Sequence, residues 1–158
     1  MSSGSFLNFR GERFTIPLRT HTPLMKGTGR SGTRTGRRRT FFYDNPEIAD
    51  QYSLLTCLDG QPIGFVTWDP RNRPEYVEIG HNGIREQYKG RGYGRLQLEE
   101  ALRRIREYEG LKRIIVCTNS NLIAPKNYES AGFVLYDRKP NLTESAFAGD
   151  YLYYEIML

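Results

Sequence analysis

Two stretches of this 158-residue chain combine residue types and spacing that could do chemistry. The first is Lys89-Gly90-Arg91-Gly92-Tyr93-Gly94, followed by Arg95. Glycine at every second position removes alternate side chains, so successive backbone N–H groups turn toward one concave point at a helix N-terminus, where the helix dipole favours negative charge. Lys89, Arg91 and Arg95 surround those partial charges with full ones, a combination suited to a pyrophosphate more than to a single carboxylate. The second is Glu78, in the middle of an extended segment where glutamate is depleted. Strict alternation puts Glu78, Gly80, Asn82 and Ile84 on one face and Val77, Ile79 and His81 on the other. A carboxylate so placed is either a solvated or ion-paired strand residue or a general base.

These groups need a frame to hold them. From Arg95 to Glu109, Leu98, Ala101, Leu102 and Ile105 recur at helical spacing, and Glu99 to Arg103 and Glu100 to Arg104 are i,i+4 pairs of favourable orientation, so the spacing predicts an amphipathic helix. Gly110 supplies a stop, and Leu111 to Thr118, with Ile114-Ile115-Val116-Cys117, reads as a strand buried on both faces. The turn therefore joins a strand to a helix and a second strand. No Gly-Lys-Ser/Thr follows it, and no acidic residue ends the next strand, which excludes a Walker loop and a dinucleotide fingerprint. Gly27-x-Gly29-x-x-Gly32 matches that fingerprint by letter only, since no buried strand precedes it and no amphipathic helix follows.

The turn, written Lys89-x-x-Gly92-x-Gly94, resembles the cofactor signature Gln/Arg-x-x-Gly-x-Gly/Ala of the GNAT superfamily of N-acetyltransferases, with lysine keeping the charge of the first position. Downstream, Asn121-x-x-Ala124-x-x-x-Tyr128-Glu129-Ser130-Ala131-Gly132-Phe133 resembles the family's second cofactor motif. The likeness covers the chain from Gln61 onward. It implies acetyl-CoA as cosubstrate, bound by Lys89, Gly90, Arg91, Gly92, Tyr93, Gly94 and Arg95, with Asn121 as a further contact. It also implies a strand that splays from its neighbour so that backbone near Ile84 meets the pantetheine arm. The Ile84 N–H there is a candidate for holding an oxyanion. In that frame Glu78 is the base for an incoming amine, and the Tyr128 hydroxyl protonates the departing thiolate. Pro125 suggests that the helix carrying Tyr128 starts only just before it. His81, opposite Glu78, reads as a structural histidine, and Cys117 as a buried inert thiol in an apolar strand, so direct transfer in a ternary complex is expected in place of an acyl-enzyme.

Composition fits one domain. With 38% apolar residues, eleven Tyr and eight Phe, residues 1–158 suffice for a single N-acetyltransferase domain with a real core. The expected order is a strand over Arg13 to Thr20 kept to an edge by Pro17, a helical turn over Asn45 to Asp50, and a hairpin of Tyr52 to Leu58 and Ile63 to Asp69 about Asp59-Gly60. A strand over Glu75 to Ile84, a strand over Phe133 to Tyr136, a loop over residues 137–149 and a closing strand over Tyr151 to Leu158 complete it. The fold class is α/β (α+β), a mixed, largely antiparallel central sheet flanked by helices. Cys57 and Cys117 imply neither a disulfide framework nor a zinc site, so no metal is expected and the cytoplasm is the default compartment. No stretch has membrane length, and the first fifteen residues are polar and mixed, so neither a membrane partner nor a leader is expected. Two alternatives stay open: an acyl-CoA-binding protein without catalysis, and a nucleic-acid-binding module suggested by an isoelectric point near 9.3. Nucleic acid leaves the glycine turn unexplained and is not the expected partner. An amine acceptor, small molecule or peptide, is, and a homodimer is open.

Charge is uneven along the chain. Residues 1–40 hold nine Lys/Arg and one Glu, an excess of eight positive charges, while the remainder sums to −3. Lys26 to Thr40 contains no apolar residue and cannot pack, which predicts a flexible basic arm. Such an arm is either a solvated tail or a device that draws in an acceptor carrying negative charge. If it steers, neutralising Arg37, Arg38 and Arg39 will raise the Michaelis constant of an anionic amine acceptor, leave that of acetyl-CoA nearly unchanged, and flatten the salt dependence of the rate. Identical acceptor kinetics for variant and parent at low and high salt would reduce the arm to a tail.

Overall fold

The computed structural model describes residues 5–7, 13–15, 51–142 and 149–158. Their strands are β1 (Ser5–Leu7), β2 (Arg13–Thr15), β3 (Ser53–Leu58), β4 (Gln61–Asp69), β5 (Val77–Ile84), β6 (Arg113–Asn119), β7 (Val134–Lys139) and β8 (Tyr151–Met157), with helices α1 (Tyr93–Ile105) and α2 (Ala124–Ser130). They form one sheet in the order β1-β2-β3-β4-β5-β6-β8-β7. Every neighbouring pair is antiparallel except β5 and β6, which run parallel and are joined through α1. The mixed, largely antiparallel α/β sheet expected from the sequence is the one found.

Local chemistry explains most of the elements. The β3–β4 hairpin closes on Asp59 and Gly60, both with positive φ (48° and 79°), the conformation that an Asp-Gly pair accepts most readily. α1 buries Tyr93, Gln97, Leu98, Ala101, Leu102 and Ile105 against the sheet. Opposite them lie Leu54, Val66, Trp68, Val77, Ile79, Ile114, Val116 and Tyr154, so one sheet face and one helix stripe make the core. Full burial of each Leu, Ile or Val there is worth about 1.5–3 kcal/mol. On the solvent side Glu100 pairs with Arg104 as expected and also with Arg103, whereas Glu99 pairs with Arg95.

Several boundaries move from their expected places. α1 starts at Tyr93, two residues early, and ends at Ile105, because the N–H groups of Glu107 and Tyr108 bond three residues back and tighten the chain into turns. Tyr108 is thereby turned to the sheet, where its hydroxyl accepts from Trp68 Nε1 at 3.1 Å. α2 starts at Ala124, not just before Tyr128, with Pro125 in its first turn, where no N–H is needed. β7 continues to Lys139 because β8 pairs with it over that length. The first strands differ most. β2 lies between β1 and β3, so it is not the edge, and β1 provides a partner in the stretch read as a lead-in. Pro17, the turn at 45–50 and the arm at 26–40 lie outside the described residues.

The correction that matters for chemistry is in β5. Asn82 pairs with Val66 and Ile79 with Trp68, so Gly80 and His81 together face the single residue Thr67. This is a β-bulge, and it resets the alternation. Asn82 and Ile84 join Val77 and Ile79 on the α1 face, while His81 moves to the face of Glu78. Its N–H donates to Thr67 Oγ1 at 2.9 Å, and its ring lies 6.3 Å from that of Phe65.

Gly64 of β4 is where the core leaves no room. A Cβ there would meet Ile84 Cδ1 at 2.3 Å, the Gly83 carbonyl oxygen at 2.7 Å and Gln97 Oε1 at 2.8 Å. Gly83 has nothing within 4 Å of the same position and a φ outside the left-handed region. Gly64→Ala should therefore cost about 1–3 kcal/mol in a denaturant melt, the usual range for overpacking, and Gly83→Ala should cost far less. Equal midpoints for the two variants would show that the β4–α1 contact gives way freely.

Candidate active site

β5 and β6 pair only over Val77–Ile79 and Ile114–Val116, although β5 continues to Ile84 and β6 to Asn119. Beyond Ile79 the two strands part. The N–H of Arg85 bonds the Ile63 carbonyl on β4 at 2.8 Å, and in an antiparallel pair the next residue back faces the other way, so the Ile84 N–H points from β4 toward the gap. The splay of β5 from β6 that the resemblance implies is present.

The glycine turn closes one end of that gap. Gly90 and Gly92 have φ of 73° and 86°, which other residues rarely adopt. Gly92 is the N-cap of α1, and no side chain caps the helix. Gly94 lies inside the first turn. A Cβ on it would stand 3.6 Å from Ile84 Cγ1 and 4.0 Å from Asn127 Nδ2, so the turn, the end of β5 and α2 converge here. Lys89 forms an ion pair with Glu86, Arg95 donates to Glu99 at 2.7 Å, and Arg91 lies 5.9 Å from the Tyr88 ring. All three cations are surface groups. Tyr93 is fully buried, so its side chain does not face solvent at the turn. The arrangement fits the diphosphate of the implied acetyl-CoA: left-handed glycines, uncapped amides and exposed cations at one helix start.

Tyr128 sits at the gap from the α2 side. It is 4% exposed, edge-on to Phe133 at 5.5 Å and tilted against Tyr154 at 6.4 Å. Burial holds its hydroxyl above the usual tyrosine range, with the neighbouring Asn82 side chain acting against that rise and Cys117 a weaker neighbour. Tyr154 does not compete for that hydroxyl, since its own donates to Glu129 Oε1 at 2.8 Å. Glu78 is half-buried on the opposite face of the sheet, paired in register with Asp69 and Ile115, and its charge is felt by Tyr136. The sheet thus separates Glu78 and His81 from Tyr128. Asn121 is not part of the convergence described above. It is exposed beyond β6 on the β8 side, its N–H bonded to Asn119 Oδ1 at 2.9 Å and its side chain beside Gly149. Among the described residues no group of three or more His, Cys, Asp or Glu is placed to hold a metal, and no helix is long and apolar enough to cross a membrane.

Sequence reasoning missed four polar residues here. Asn127 abuts the turn, and Thr56, Gln97 and Asn82 are linked beneath the gap, with Thr56 Oγ1 to Gln97 Oε1 at 2.6 Å and Gln97 Nε2 to Asn82 Oδ1 at 2.7 Å. One signal was readable. Gln97 falls on the i,i+4 row of Tyr93, Ala101 and Ile105, a polar residue at a buried position.

Solved structures resemble this fold. An IAA acetyltransferase from Bacillus cereus aligns with a TM-score of 0.61 at 17% identity, covering 77% of this chain and 91% of that one. The ribosomal-protein-S18-alanine N-acetyltransferase from Escherichia coli gives 0.62 at 19% identity, with 75% and 74% covered. An acetyltransferase from Bacillus anthracis, solved in complex with acetyl coenzyme A, gives 0.59 at 20% identity, with 70% and 68% covered. No curated protein matches the chain. The model of the Acetyltransferase (GNAT) family matches residues 25–133, well over half the chain and reaching upstream of the Gln61 at which the sequence resemblance began. This chain belongs to the GNAT acetyltransferase family, and it is an acyltransferase whose acetyl donor is acetyl-CoA.

Proposed function

We propose that the protein transfers an acetyl group from acetyl-CoA to a primary amine by direct attack in a ternary complex. The observation that supports this reading is the buried Tyr128 of α2, which has Asn82 of β5 and Cys117 of β6 as neighbours, both beyond the last β5–β6 pair. Acetyl-CoA supplies the acyl carbon and a thiolate leaving group. The turn from Lys89 to Arg95 holds its phosphates, and the Ile84 N–H faces the gap, placed to donate to the acyl oxygen. The amine nitrogen bonds to the acyl carbon, its proton passes to a base directly or through a water, the carbon–sulfur bond breaks, and the Tyr128 proton goes to the sulfur. Burial favours the neutral phenol, so the donor keeps its proton through neutral and mildly alkaline pH, below the ordinary tyrosine pKa of about 10.

Glu78 is the base in this reading. The bulge favours a second one, His81, because it sets that side chain on the same face and further along β5, past the last residue paired with β6. Catalysis through Cys117 is not needed.

Two measurements test the reading. Coenzyme A and acetyl-CoA at millimolar concentration should raise the melting temperature by mass action, and an unmoved melt would remove the cofactor site. Tyr128→Phe and Glu78→Gln should each lower turnover about a hundredfold with little change in acetyl-CoA affinity. Full turnover in Glu78→Gln beside a comparable loss in His81→Gln would transfer the role of base to the imidazole.

A further inference from the structure

The end of β5 is held from the α1 side by one amide. Gln97 of α1 is fully buried, and its Nε2 donates to the Phe65 main-chain carbonyl at 2.9 Å and to Asn82 Oδ1 at 2.7 Å, with the Gly83 carbonyl at 3.4 Å a third, weaker acceptor. A main-chain carbonyl only accepts, so the amide nitrogen of Gln97 faces β4 and β5 and its oxygen faces Thr56 on β3, whose hydroxyl donates to it at 2.6 Å. Room for the amide comes from Gly64, since a Cβ there would stand 2.8 Å from Gln97 Oε1 and 2.7 Å from the Gly83 oxygen. One side chain thus bonds three strands at the level where β5 has lost β6.

The Gly83 carbonyl and the Ile84 N–H belong to one trans peptide unit, so they point in opposite directions. Arg85 bonds the Ile63 carbonyl, and by the alternation of an antiparallel ladder the registered pair Gly83 and Phe65 bond each other while the Ile84 N–H faces away from β4. In the middle of a sheet a second ladder would hold such a peptide plane from its other side. Past Ile79, β6 gives none. We infer that Gln97 is a positioning residue for acetyl transfer, which keeps the end of β5 on β4 and so fixes the aim of the Ile84 N–H into the β5–β6 gap. The inference rests on the proposal that this N–H donates to the acyl oxygen, and adds to it the residue that holds the donor in place. Packing alone does not call for an amide here. Gln97 lies on the row of Tyr93, Ala101 and Ile105, and exchanging a buried hydrogen-bonded pair for apolar groups of the same shape is nearly neutral.

The test removes the amide and keeps the core filled. In Thr56→Val combined with Gln97→Met both partners of one buried bond become apolar, Phe65 keeps its ladder bond, and the half-buried Asn82 turns to water. This double variant should melt within a few degrees of the parent and bind coenzyme A, which carries no acyl oxygen, within about twofold, while turnover falls about 10- to 100-fold. Independently of activity, the Arg85 amide should exchange with solvent about tenfold faster, and those of Glu78 and Ile79, which pair with strands on both sides, should not change. Gln97→Leu in the same Thr56→Val background serves, with the same expectations, if methionine overfills the space and the protein does not fold. Parental turnover in a variant that melts like the parent, or unchanged exchange at Arg85, would overturn the inference and leave acetyl transfer itself standing. Failure of the parent to bind coenzyme A would instead overturn the reading of the site, and the inference with it.

Discussion

The parting of β5 from β6 after three paired residues is the constraint on which the rest of the site depends. A strand inside a sheet normally has both edges bonded, and a polar backbone edge left open inside a protein is costly unless something else meets it. β5 keeps β4 along its length but loses β6 at Ile79, and the bulge at Gly80 and His81 comes immediately after. The same short stretch therefore exposes a main-chain edge, changes which side chains face α1, and carries Asn82 and Ile84 to the side where Tyr128 lies. α1 fills part of that face, with Gln97 reaching the Phe65 carbonyl, and α2 brings Tyr128 to the same face.

Charge at the glycine turn is held in reserve. Lys89 and Arg95 are occupied with Glu86 and Glu99, yet both pairs are exposed, and exposed pairs are worth about 0–1 kcal/mol. A diphosphate bound there, as proposed, would have little to overcome in recruiting those cations. The directional part of the cradle, by contrast, is main chain: Gly90 and Gly92 in left-handed conformations and the uncapped start of α1. If the turn holds phosphates as proposed, that division would let lysine stand where the family signature has glutamine or arginine, since a flexible point charge suffices when the amides set the geometry.

The sequence was legible wherever a signal is local. The Asp59-Gly60 hairpin, the stripe of α1 and the run of β6 each follow from residues within a few positions of one another, and each is found close to its expected place. Tyr128 and the turn stood out because two motifs recur at a known separation. What failed was phase. A bulge adds one residue without any change in composition, so alternation counted from Glu78 sent His81, Asn82 and Ile84 to the wrong faces, although Gly80 marked a place where a strand could yield. Likewise Gln97 is plain as a buried position in a helix, but its partners are 41 residues away in Thr56 and 15 in Asn82, a distance over which no periodicity operates. The edge assignment of the Arg13 strand failed for a related reason, since what covers an edge is decided by another segment.

The placement of acid and base on opposite faces bears on the proposed reaction. Glu78 and His81 look out on the side away from α1, and Tyr128 lies on the α1 side with its hydroxyl at the gap. A proton taken from an amine and a proton given to a thiolate would then move on different sides of the sheet, so neither carrier has to hand its proton to the other within a turnover. For the acyl carbon to be reached by the amine from one side while its sulfur meets Tyr128 on the other, it must lie in the opening between the strands, level with the sheet. A continuous β5–β6 ladder would close that position. In the proposed reaction the loss of pairing beyond Ile79 would therefore let two separately placed groups act on one carbon.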